Sequence, residues 1–261
     1  GAPHGPALKS DGGFQVETLA GAPGLGSGAG DGLLLEGERL RTDASSRARV
    51  AFAAGGRTFG HVDVEPSSSL RLIRASENEQ RFALDRGEIR ALTWAPPRLL
   101  FIETPSATAV DLGCAYVLKV DDAGHGLLSV TSGSVALETD GVESYVPRGA
   151  SCATRVGRGP GTPRFDDAPE DLKAALDRFD FADGGEAALR EVVNSAVRPR
   201  DSLTLFHLLA RTKDAARRDV CLALMKLAPP QDGASDEAVA SALRLDPTFL
   251  AAWRAALRAH W

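Results

Sequence analysis

Residues 101–138 read FIETPSATAVDLGCAYVLKVDDAGHGLLSVTSGSVALE, and this stretch decides the fold class. Its apolar residues fall in short runs, Phe101–Thr104, Tyr116–Val120 and Ser134–Glu138. Within each run apolar and polar side chains alternate with a period of two, the pattern of a strand with one buried face. Asp121-Asp-Ala-Gly124 lies between two such segments. Asp and Gly tolerate the backbone angles of a tight reversal, so a hairpin is expected there.

The same texture extends toward the N-terminus through Phe14–Leu19, Arg47–Phe52, His61–Val64 and Leu70–Ile73, and Asp140-Gly141 marks a further hairpin. A faint repeat runs through it: Leu34–Leu40, Ala83–Ile89 and Val130–Val135 each place an apolar strand end, a polar step, a Gly and an apolar return. The interval is roughly fifty residues, and Gly is read as the point of reversal. Helical spacers are missing before residue 165. The expectation is therefore a mainly β architecture, solenoid-like or sandwich-like, and not a βαβ sheet.

Toward the C-terminus the texture changes near residue 160. Arg158-Gly-Pro-Gly-Thr-Pro163 interrupts strand and helix alike. Beyond it, apolar residues recur at helical spacing: Leu172, Ala175, Leu176 and Phe179; Leu189, Val192, Val193 and Ala196; Leu203, Phe206, Leu209 and Ala210. Val220, Leu224 and Leu227, then Phe249, Trp253 and Leu257, continue the pattern. Asp167-Ala-Pro-Glu170 has the form of a capping box, and Asp246-Pro247 opens the last helix. Breaks at Arg198-Pro199, Pro229-Pro230 and Asp246-Pro247 divide the region into about five short helices, expected to stack as HEAT-type hairpins. The organisation read from the sequence is a linker or expression remnant over 1–13, a β-domain over 14–157, a linker over 158–166 and a small all-α domain over 167–261.

A formal net charge of −5 and the lack of a Lys/Arg cluster argue against nucleic acid as a partner. The longest apolar runs, such as Leu33–Leu35 and Leu99–Ile102, fall far short of the roughly 20 residues that span a bilayer. No secretory signal pattern opens the sequence. The five histidines, His4, His61, His125, His207 and His260, are scattered, and no G-x-S-x-G elbow occurs, so no nucleophile and base are brought together by sequence and no enzyme is expected. Gly24-Leu-Gly-Ser-Gly-Ala-Gly30 has the composition of a phosphate loop but precedes a strand instead of a helix; it reads as a hairpin loop, and no cofactor is expected. His61-Val-Asp63 offers two ligands where a metal needs three or four, so no metal is expected either.

Of the three cysteines, Cys114 and Cys152 form either a disulfide or two buried thiols. Trp94-Ala-Pro-Pro97 is either a rigid β-edge or a docking point for a partner. Arg211, Lys213, Arg217 and Arg218 either solvate a helix or form a docking patch. Candidate partner-binding residues are thus Trp94, Arg217 and Arg218, with Tyr145 as a second aromatic.

Across roughly Phe14 to Tyr145 the chain resembles the FecR domain. The likeness is carried by Gly37-Glu-Arg-Leu-Arg-Thr-Asp43, Ser46-Arg-Ala-Arg-Val50, Leu84-Asp-Arg-Gly87 and Phe101-Ile-Glu-Thr-Pro105, in that order. Ala109-Val-Asp-Leu-Gly113 leading into Tyr116-Val117, and Val130-Thr-Ser-Gly-Ser-Val-Ala-Leu137, complete it. Cys114 departs from the Thr usual after that Gly, and the helical C-terminus departs from the secretin/TonB short domain of iron-uptake regulators. The resemblance implies the periplasmic sensory and regulatory region of an anti-sigma-type transmembrane regulator, anchored to the inner membrane. Such a protein acts through protein partners in the cell envelope. It reaches a sigma factor, and the membrane, only through segments upstream of Gly1. The alternative is a cell-envelope scaffold or a glycan- or peptidoglycan-binding module, in which Trp94 and Tyr145 would touch the sugar.

Overall fold

The alternating runs form strands, and the strands form two sheets. The computed structural model describes residues 5–10, 14–17, 32–54, 57–139 and 141–261. The chain divides into two compact units, Gly1–Pro160 and Gly161–Trp261. The first contains β1 (Ala7–Ser10), β2 (Phe14–Glu17), β3 (Gly32–Leu33), β4 (Arg39–Thr42), β5 (Ala48–Ala54), β6 (Arg57–Val64), β7 (Ser69–Ala75) and β8 (Gln80–Thr93). It continues with β9 (Leu100–Glu103), β10 (Thr108–Asp111), β11 (Ala115–Val120), β12 (Gly126–Ser132), β13 (Ser134–Thr139), β14 (Val142–Pro147), β15 (Ala150–Arg155) and β16 (Gly159–Pro160).

One sheet runs β3-β1-β5-β6-β8-β11-β12-β15-β16. The other runs β2-β4-β7-β8-β9-β10-β13-β14. Among these pairings of described residues all are antiparallel except that between β8 and β9. The chain repeatedly lays strands in one sheet, then in the other, so that β12 pairs with β15 across the β13–β14 hairpin and β10 with β13 across β11–β12. The long strand β8 belongs to both sheets: Gln80–Arg86 pairs with β7, and Gly87–Leu92 pairs with β11.

Each of the three repeat units lies at one of the crossings from one sheet to the other, a role different from the simple reversal read from the sequence. Leu34–Leu40 joins β3 to β4, Ala83–Ile89 lies within β8, and Val130–Val135 joins β12 to β13. Their glycines, Gly37, Gly87 and Gly133, hold φ of 88°, 97° and 68°, the left-handed region where a Cβ is costly. At Gly87 a Cβ would also lie 2.2 Å from the Ser68 Oγ and 2.5 Å from the Ser68 Cα. That serine stitches the crossing, since its Oγ donates to the Glu88 carbonyl and accepts from the Glu88 N–H.

Alternation then builds the core. Val50, Phe52, Val62, Val64, Ile89, Leu118 and Leu128 of one sheet, and Leu40, Leu70, Leu72, Phe82, Leu84, Ile102 and Leu137 of the other, are all buried. Burial of such side chains is worth about 1.5–3 kcal/mol each. The Asp121–Gly124 turn is formed as expected: Gly124 N–H donates to the Asp121 carbonyl, and the Asp121 side chain accepts from Ala123 and His125 N–H. The 1–13 linker is corrected in part, because Ala7–Ser10 pairs with β5 and buries Leu8; a strand of four residues is too short for its alternation to register. The rest of 1–13, the Gly24–Gly30 loop and Asp140 contain residues outside those described.

The second unit contains α1 (Glu170–Phe181), α2 (Gly185–Ser195), α3 (Ser202–Arg211), α4 (Asp214–Leu227), α5 (Asp236–Leu243) and α6 (Pro247–Leu257). Leu172, Leu176, Val192, Leu208, Leu224 and Trp253 lie in its core. Asp246 caps α6 through the Phe249 N–H as expected. The Asp167 capping box does not form: Pro169 stands at the N-cap of α1 with no side-chain cap, and Asp167 instead accepts from Arg200 and pairs with Arg198. Residues 161–165 are no free linker. Thr162 donates through N–H and Oγ1 to Asp180, at 2.6 and 2.9 Å, and Thr204 Oγ1 donates to the Pro163 carbonyl. Arg211 donates to the Gly161 carbonyl, and the Arg200 guanidinium lies 4.1 Å from the Phe165 ring centre. This strap is part of the helical unit. Among the described residues no helix is long and apolar enough to cross a membrane.

Candidate interaction surface

The outward face of the first sheet carries two textures. One is ionic. Arg47 and Arg90 both pair with Glu65, at 2.6 and 2.9 Å, Arg90 and Lys119 both pair with Glu88 at 2.8 Å, and Arg49 makes a forked pair with Asp63. The Arg47 hydrogen bond, assisted by Arg90, holds the Glu65 carboxyl below the usual carboxylate range. Each charge on this stripe is answered by its neighbour, as cross-strand pairing favours.

The other texture is apolar and lies at the end of β8. Leu92 is 43 % exposed and Trp94 58 % exposed. The indole is nonetheless fixed: its Nε1 donates to the Thr58 carbonyl at 3.0 Å, and its backbone N–H to the Phe59 carbonyl at 3.0 Å. An aromatic ring already held in place loses little further entropy when a partner covers it, which suits it to be an anchor. His61 stands opposite Leu92. Burial, reinforced by the Arg49 charge, lowers its pKa, which favours the neutral ring. Asp63 is occupied by Arg49, and among the described residues no group of three or more His, Cys, Asp or Glu converges on a metal position.

The other candidates fall elsewhere. Tyr145 is buried in β14, where four consecutive residues are covered and the period-two rule fails; it offers no exposed ring. Arg217 is half-buried and donates to the carbonyls of Leu209, Thr212 and Leu243. It closes the ends of α3 and α5, the place where a cation best meets orphan carbonyls. That is a structural role, not a docking one. Arg218 is exposed on α4.

The disulfide weighed for Cys114 and Cys152 is not formed; all three cysteines are free and buried. The Cys114 thiol donates instead to Asp111 Oδ2 at 2.7 Å, and the Cys152 thiol points to its neighbour's carbonyl at 3.6 Å. Asp111 is the hub of a buried polar knot that the sequence reading missed, since it also accepts from Thr93 Oγ1 and the Gly113 N–H. Its one local signal is the Asp two positions before Gly113, an Asx-turn pattern. Burial raises the Asp111 carboxyl, opposed by those three hydrogen bonds. Burial and the Asp111 charge push the Cys114 thiol and the Tyr116 phenol well up. A thiol held protonated is a poor nucleophile, so the knot fastens the β10–β11 corner.

Residues 38–136 match the family model described as FecR protein. The match begins at the approach to β4 and ends inside β13, so it contains two of the three repeat units whole. Among solved structures, two crystal structures of a candidate anti-sigma factor from Parabacteroides distasonis are similar. Each is 15% identical and covers 53% of this chain. The TM-scores are 0.42 and 0.41, and 64% and 63% of those chains are covered, so the match spans less than two thirds of their length. No curated protein matches.

Proposed function

We propose that this chain is the envelope-facing part of an anti-sigma-type regulator, and that it works by docking proteins, not by catalysis. The observation that carries the reading is the FecR match over residues 38–136, which covers the middle of the two-sheet unit. In this account the unit lies in the periplasm, tethered to the inner membrane by a helix outside the present sequence. The pinned Trp94 with Leu92 receives an envelope partner, and partner exchange or regulated proteolysis relays the state to a sigma factor. The helical unit stacks in HEAT-like hairpins. The exposed Trp94 also supports the second reading, a glycan-binding module, because an exposed aromatic face suits a sugar ring as well as a protein.

Genome-wide transcription in the native host distinguishes the two. Deleting residues 38–136, or replacing Trp94 by Ala, is expected to change a small set of genes sharing one promoter type. No transcriptional change, with loss of peptidoglycan or glycan retention in a pull-down, would reject the regulatory reading in favour of the module.

A further inference from the structure

Within the helical unit, α2 and α4 flank a groove of about 510 Å³. Its apolar surface comes from Leu189 and Val193 of α2 and from Leu222 of α4, which is 45 % exposed. The rim is charged, with Glu186 and Arg190 on one helix and Asp219 and Lys226 on the other. None of these four belongs to an ion pair or side-chain hydrogen bond among the described residues. The contrast is with the first sheet, where the charges neutralise one another.

The order of these charges points to an occupant. Along α2 the acid precedes the base, and along α4 Asp219 precedes Lys226 with Leu222 and Ala223 midway between them. Asp219 and Lys226 are two turns apart, about 10 Å along the axis, and so project from the same side of the helix. A helix whose acid and base lie symmetrically about an exposed Leu is complementary to itself when reversed.

We propose that the α2–α4 groove seats a second copy of this chain across a two-fold axis near Leu222. The two α4 helices run antiparallel, each Leu222 enters the other copy's groove, and Asp219 of one copy meets Lys226 of the other twice over. An isologous contact of this kind closes on itself and stops at the dimer. A heterologous helix would need no such symmetry of charge about Leu222.

Sedimentation velocity of the full chain over a range of concentrations tests the proposal. A concentration-dependent dimer is expected, and Leu222→Asp is expected to abolish it. Asp219→Lys or Lys226→Asp alone would set like charges together and weaken association roughly tenfold or more. The double reversal restores opposite pairs in the antiparallel arrangement and should recover the dimer. All three positions are exposed, so unchanged far-UV dichroism and melting confirm that the variants fold. A chain that stays monomeric at every concentration, whether or not a partner's helical peptide then occupies the groove, overturns the proposal. So does a dimer indifferent to the single reversals, or one that the double reversal fails to restore.

Discussion

Replacing Gly87 by Ala should strongly destabilise the β-unit. The residue holds φ of 97° where β8 passes from one sheet to the other. An L-residue there costs about 1–2 kcal/mol. The new Cβ would also fall 2.5 Å from the Ser68 Cα, a backbone atom that cannot swing aside as a side-chain tip can. Relieving that contact displaces Ser68 and threatens its two hydrogen bonds to Glu88, each worth about 0.5–1.5 kcal/mol. The sum is about 2–5 kcal/mol. Gly141 supplies the control, since its φ is 80° and a Cβ there meets nothing within 4 Å, so Gly141→Ala should cost only the conformational part. At about 2–4 °C per kcal/mol for a unit of this size, calorimetry of the whole chain should show Gly87→Ala lowering the β-unit transition by roughly 10 °C and Gly141→Ala by roughly 4 °C. Equal shifts would refute the reading of Gly87 as a crossing point packed against Ser68.

Further outcomes follow from the buried groups. Denatured, unreduced protein should react with a thiol reagent at all three cysteines and the folded protein at none; a single reactive cysteine on denaturation would restore the Cys114–Cys152 disulfide. Asp111 is an acid whose folded pKa is raised by burial, so the folded state binds more protons than the unfolded one as pH climbs above the ordinary Asp value of about 3.9, and its contribution to stability falls through that window. Asp111→Asn should therefore compare more favourably with the parent at pH 7 than at pH 4 in denaturant titrations, and the opposite trend would contradict the assignment. A helical fragment starting at Gly161 should melt higher than one starting at Asp167, because only the longer one keeps the Thr162–Asp180 and Thr204–Pro163 bonds; equal melting would make the strap dispensable.

The two-layer β-unit was legible because its strands alternate. Residues such as Val62 and Val64 are buried while His61 and Asp63 face outward, and one period-two pattern carries both facts. The repeat was legible as a recurrence, but its meaning was not, because crossing between sheets and reversing within one both call for Gly at positive φ. β14 escaped the rule because both of its faces are covered from Ser144 onward. The missing helix, α5, buries only Ala238 and Ala242, a stripe of small residues with little hydrophobic contrast. The strap over 161–165 reads as a linker because Gly, Thr and Pro signal a loop, and nothing local reveals that Asp180 lies ready to accept from Thr162. Arg217 misled for a related reason, since a charge on a helix reads as solvated unless the carbonyls of Leu209, Thr212 and Leu243 can be seen around it. Trp94 was found from its neighbours in sequence, although what pins it, the Thr58 carbonyl, lies on another strand.

Site-specific photocrosslinking from position 94 in intact cells of the native host tests the docking account most directly. With the crosslinking side chain in place of Trp94, the account predicts one discrete adduct with an envelope or membrane protein, absent when the same group stands at Lys119 on the ionic stripe. No adduct, or the same adducts from both positions, would contradict it.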